Sequence, residues 1–79
     1  MELKPRNYII LKRPLNQRDE TPEVIAEFSM LFQAKKHLLK IIDNKRNKWI
    51  SKNGRAARYY DPNRSDIIRV WIKRKRSYK

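Results

Sequence analysis

Cysteine is absent from the 79 residues, and glycine occurs once, at Gly54. Without cysteine there is neither a disulfide framework nor a thiolate zinc site, and an unstapled chain of this size is expected to be intracellular, in the cytoplasm. With a single glycine there is no Gly-rich loop to cradle a phosphate. No apolar run exceeds residues 8–11, so the sequence offers neither a signal-peptide core nor a membrane-spanning helix, and no membrane partner is expected. Acids are scarce too: Asp+Glu number 8 against 21 Lys+Arg, a net charge of +13. A chain so charged repels itself unless an anionic partner neutralises it.

Catalytic constellations are also missing. His37 is the lone histidine and lies beside the polar face of a helical stretch, so it reads as a surface residue. No Ser-His-Asp, Cys-His or zinc pattern can be assembled. Asp61 precedes Pro62 in a turn, and Asp66 is seven residues from Lys73, which suits turn and strand-boundary roles better than a metal-dependent nuclease. The expectation is a non-enzymatic protein without cofactor or metal. Residues 1–79 are read as one small basic domain, with residues 74–79 a basic tail.

What is abundant is positive charge, and it is unevenly placed. Residues 1–44 hold 8 Lys+Arg and 6 Asp+Glu, whereas residues 45–79 hold 13 and 2. A charge kept only for solubility would not segregate in this way.

Residues 67–76 carry the pattern most sharply. Ile67 to Lys73 alternates like a half-buried strand, and Lys73-Arg74-Lys75-Arg76 follows as a block of cations. Ile68, Val70 and Ile72 are expected on the core side, with Ile67, Arg69, Trp71 and Lys73 on the other. Upstream, residues 7–13 are β-rich and stopped by Pro14, which reads as a first strand. Thr21-Pro22-Glu23 resembles a helix start, yet the alternation of Val24, Ala26 and Phe28 favours a strand over 24–28. From Met30 the period changes: Leu31, Ala34, Leu38, Ile41, Ile42 and Trp49 share one side at about 100° per residue. Ser29 is the expected N-cap of this helix.

Asn53-Gly54 supports two readings. Gly54 can be the left-handed residue that ends a helix reaching past Ile50, which keeps Trp49 in phase with the core side and is the preferred reading. Alternatively the helix stops near Asn44 and Asn53-Gly54 is a hairpin turn. Residues 56–60 follow as a strand and 61–65 as a turn. The fold expected is α+β, a small antiparallel sheet in the order β-β-α-β-β with one amphipathic helix packed on one face.

On the sheet face away from the helix, Arg58 and Tyr60 are expected beside Arg69, Trp71 and Lys73, with Lys12 and Tyr8 joining from the first strand. Cations neutralise phosphates, and Trp or Tyr rings stack on unpaired bases. Trp71 reads equally as a sheet cover shielded by neighbouring Arg and Lys stems, and of the adjacent Tyr59 and Tyr60 one belongs to the core. The candidate contact set is Lys45, Arg46, Lys48, Lys52, Arg55, Arg58, Tyr60, Arg69, Trp71, Lys73, Arg74, Lys75 and Arg76, and the expected partner is DNA or RNA. The alternative is a small regulatory or inhibitory module that docks on an acidic protein surface, because positive charge steers association with any anionic surface.

Overall fold

The pairing of strands around residues 66–75 organises the molecule. The computed structural model describes residues 7–75. Its elements run β1 (Asn7–Pro14), β2 (Glu23–Phe28), α1 (Leu31–Ile42), β3 (Arg46–Ile50), β4 (Ala56–Asp61) and β5 (Asp66–Lys75). The strands form one five-stranded sheet in the order β2-β1-β5-β4-β3, and every pairing is antiparallel. The α+β class and the single helix on one face of an antiparallel sheet are as the sequence predicts. Among the described residues no helix is long and apolar enough to cross a membrane.

β5 is the middle strand of the five, flanked by β1 and β4. β1 pairs with it from Asn7↔Lys75 to Pro14↔Ile68, and β4 from Ala56↔Trp71 to Asp61↔Asp66. The strand therefore continues through Arg74 and Lys75, which were expected in the basic tail, since Tyr8 and Asn7 supply their ladder partners. Arg76 and the rest of the expected tail lie outside the described residues.

The core lies between β1, β4, β5 and α1. Ile10, Ala34, Leu38, Ile42, Ala57, Tyr59, Ile68, Val70 and Ile72 are its buried members. Alanine at 34 on the helix and at 57 on β4 fills these buried positions without a bulky side chain, which allows helix and sheet to approach closely. Tyr59 is the core tyrosine, and burial, reinforced by the Asp61 carboxylate, raises its phenol above its ordinary pKa. It stays neutral at neutral pH.

The helix is shorter than its periodicity suggests, and the sheet supplies the reason. Twelve residues rise about 18 Å, and four inter-strand steps of about 4.8 Å give a sheet about 19 Å wide. The helix thus carries the chain from edge strand β2 to the opposite edge. A helix continued to Trp49 would overshoot that edge. The chain instead turns after Ile42, and residues 46–50, expected to be helical, form β3. Lys48 Nζ donates to the Asp43 carbonyl at 2.7 Å, tying the turn to the new strand. The N-terminus differs too: Met30 holds the cap position without a side-chain hydrogen bond, so Ser29 does not cap.

Asn53-Gly54 is accordingly a hairpin turn. Ser51 N–H donates to the Ala56 carbonyl at 2.9 Å, Gly54 N–H to the Ser51 carbonyl at 3.0 Å, and Arg55 N–H to Asn53 Oδ1 at 3.0 Å. Gly54 sits at φ +71°, where a side chain is disfavoured. Both edge strands are irregular. A bulge at Ile25 pairs Val24 with Leu11, out of step with Ala26, and β3 shifts register between Arg46 and Trp49, with Asn47 at φ +52°. Such bulges make poor templates for a further strand.

These placements predict unequal costs of truncation. Leu38→Ala removes a fully buried side chain and should cost about 2–5 kcal/mol in urea unfolding. Trp49→Ala should cost only about 1 kcal/mol, because Trp49 is 48% exposed and loses mainly a cation–π contact. In a helical core position the same truncation would cost about 3–5 kcal/mol.

Candidate nucleic-acid interface

Cross-strand partners share a face, so the register defines the open side of the sheet row by row. One row runs Arg13 on β1, Arg69 on β5, Arg58 on β4 and Trp49 on β3, each directly opposite the next. Along β5 in one direction the next row is Leu11, Trp71 and Ala56. In the other it is Ile67, Tyr60 and Arg46. Lys73 and Lys75 complete the β5 side, opposite Ile9 and Asn7.

Three arginines side by side are electrostatically unfavourable, because like charges directly opposite repel. Tryptophan rings offset part of this. The Arg13 and Arg69 guanidinium carbons lie 5.6 and 5.1 Å from the Trp71 ring centre, and that of Arg58 lies 4.5 Å from Trp49. Arg13 Nη1 also donates to the Arg18 carbonyl at 3.4 Å. Among the described residues the ion pairs are Arg64–Glu20 at 3.8 Å and Lys75–Glu27 at 3.9 Å, both away from the row. Among the described residues each guanidinium of the row therefore keeps hydrogen-bond donors free of carboxylates.

The two acids at the ends of β4 and β5 are committed to turns. Asp61 Oδ1 accepts from the Asn63 N–H at 3.0 Å, while Asp66 Oδ1 accepts from the Ile67 N–H at 2.7 Å and Asn16 Nδ2 at 3.2 Å. His37 rests against Phe28, ring centres 5.2 Å apart. Among the described residues no cluster of His, Cys, Asp or Glu could hold a metal ion.

Of the residues singled out from the sequence, Arg46, Arg58, Tyr60, Arg69, Trp71, Lys73 and Lys75 share this face. Arg76 lies outside the described residues, and the other described candidates do not gather there. Arg74 pairs with Tyr8, whose side chain packs against the core, and so points to the helix side. Lys45 Nζ lies 5.2 Å over the Tyr59 ring and covers the end of the core. Lys48 is held by the Asp43 carbonyl, and Lys52 lies in the hairpin turn. Arg55 is half-buried just before β4, and its Nε is buried without a hydrogen-bond partner. Lys12 and Tyr8, expected on the open face, are on the helix side with Ile10, opposite Val70 and Arg74.

Two members of the row escaped the sequence reading. Arg13 shares the parity of Ile9 and Leu11, but all of residues 8–11 are apolar, so only pairing with β5 shows which parity faces the helix. Trp49, expected in the core, stands on the open face because residues 46–50 are strand. With Arg58, Arg69, Leu15, Ala56 and Ala57 it lines a shallow cavity of about 210 Å³.

The row of like charges predicts a salt response. Raising sodium chloride from about 0.05 to about 0.5 M contracts the screening length well below 10 Å and should raise the melting temperature by several degrees, each ~1 kcal/mol being worth about 4–8 °C. Arg69→Gln, which removes the middle charge, should reduce that rise by about half in a calorimetric or circular-dichroism melt. No family model, no curated protein and no solved structure matches this chain.

Proposed function

We propose that this chain binds nucleic acid through the open face of its sheet and performs no catalysis. The observation that carries the reading is the row Arg13–Arg69–Arg58, set beside two tryptophans and lacking carboxylate partners among the described residues. Holding like charges in register is unfavourable for the isolated fold and favourable once phosphates lie across them. Planar guanidinium groups match phosphate geometry with paired donors, and aromatic rings beside them suit bases. Arg46, Lys73 and Lys75 extend the same field along the face. An intracellular, cytoplasmic setting fits a cysteine-free binder of this kind.

Titration of labelled duplex DNA, single-stranded DNA and structured RNA at several salt concentrations tests the reading. Neutralising about five phosphates gives a log–log salt slope near −4.5 on duplex and near −3.5 on single strands. Arg58→Ala or Arg69→Ala should weaken binding and flatten the slope by about 1. Lys36→Ala, on the exposed side of the helix, should change neither. Failure to bind any of the three at low salt overturns the proposal. If the chain then captures one acidic protein stoichiometrically, the regulatory module that docks on an acidic surface takes its place.

A further inference from the structure

We infer that the open face takes single-stranded nucleic acid in preference to duplex, with one unpaired base seated in the cavity between Trp49 and Arg69. This rests on the nucleic-acid reading and specifies its substrate. The first argument is width. The sheet spans about 19 Å across its five strands, whereas the major groove of B-form DNA is about 12 Å wide and admits a helix or a two-stranded ribbon. The arginine row lies on β1, β5 and β4, the three inner strands, and a face about 19 Å wide does not seat whole in a groove of about 12 Å. A single strand laid on the face has no such obstacle.

The second argument is the cavity itself. Ala56 is the one small side chain at the described open-face positions of β1, β5 and β4, and its place between Trp71 and the β3 edge leaves a hollow. Trp49 lines this hollow on the β3 side, Arg58 and Arg69 on the strand side, and Leu15 closes an end. At about 210 Å³ it falls below the roughly 300–1,000 Å³ of sites that hold whole drug-sized ligands or cofactors. A single planar ring system suits it better. Its chemistry is an aromatic wall, an apolar floor and two guanidiniums at the rim, which matches a base with its phosphate.

The third argument separates the two tryptophans. Trp71 has guanidiniums from both Arg13 and Arg69 over its ring and is half-buried in the central strand. Among the described residues Trp49 has Arg58 alone over it and remains about half exposed on the edge strand. Trp49 is therefore the ring available to stack, and Arg58 holds it upright.

Fluorescence anisotropy with four labelled probes of about 12 nucleotides, within the 4–16 nucleotide range of single-strand sites, provides the test. The probes are a mixed-sequence DNA strand, its RNA counterpart, the DNA duplex, and a DNA strand with abasic central positions that keeps every phosphate. The intact strands should bind at least tenfold more tightly than duplex or abasic probe, and DNA against RNA reports whether a 2′-hydroxyl matters. Trp49→Ala should weaken the intact strands by about 5- to 150-fold and affect duplex and abasic binding far less. Trp49→Phe should restore most of the loss. Ala56→Leu, which fills the hollow and keeps Trp49, should reproduce it, with urea unfolding confirming that each variant is folded. Equal affinity for intact and abasic strands, with Arg58→Ala still weakening both, overturns the base site and leaves phosphate binding standing. No binding to any probe removes the nucleic-acid reading as well.

Discussion

The two-sided pleat of β5 is the constraint on which the other features depend. Successive side chains of a strand point to opposite faces, so one register decides both the core and the open surface. On β5 that register sends Ile68, Val70 and Ile72 under α1 and Ile67, Arg69, Trp71 and Lys73 outward. A slip of one residue would press Arg69 and Lys73 into the core, where an unpaired charge is very costly, and expose three branched apolar side chains. The fold is thus strongly held in register at its centre. Because β1 and β4 pair with β5 along most of their length, they inherit the same division, and Arg13 and Arg58 are delivered to Arg69 by the ladder itself.

The helix and the arginine row occupy opposite faces and act in opposite directions energetically. Burying a Leu or Ile side chain contributes about 1.5–3 kcal/mol, and α1 supplies Leu38 and Ile42 to that layer while the sheet supplies Ile10, Ile68 and Val70. The row opposes this through like-charge contacts of a few tenths to about 1 kcal/mol each, softened by the cation–π contacts to Trp71 and Trp49. A domain of this size has little stability to spare. Keeping three guanidiniums adjacent is therefore a cost that the core offsets and that a polyanion would relieve.

How much of this could be read from the sequence depends on which strands alternate cleanly. In β5 the polar residues fall between apolar ones, so Arg69, Trp71 and Lys73 are assigned to one face from the pattern, whereas in β4 the adjacent Tyr59 and Tyr60 are told apart only by the ladder to β5, which leaves Tyr60 beside Arg58 on the open side. In β1 the run Tyr8-Ile9-Ile10-Leu11 is apolar throughout, so the pattern is silent on whether Lys12 or Arg13 faces outward. Only the pairing of Ile10 with Ile72 decides it, and that contact spans most of the chain. The end of the helix failed for a related reason. Trp49 is in helical phase with Leu38 and Ile42, but the width of the sheet stops the helix at Ile42, and that width depends on strands that come later in the chain. Local periodicity finds the elements, and long-range geometry trims them.

The same geometry reinterprets the charge asymmetry. Counted along the chain, the positive excess belongs to residues 45–79. In space the row draws Arg13 from the other half, while Lys45 covers Tyr59, Lys48 closes the helix turn and Arg74 faces the helix side. Net charge accounts for long-range attraction to a polyanion but not for the binding face, which follows from strand parity. Position in the sheet likewise separates the tryptophans. In the central strand Trp71 has neighbours on both sides and is covered by two of them, Arg13 and Arg69. In edge strand β3, Trp49 has a partner strand on one side only, so Arg58 can hold its ring without enclosing it. The residue expected to be buried in the core is thus the one whose ring is left open, because a strand at the rim of a sheet cannot be covered from both sides.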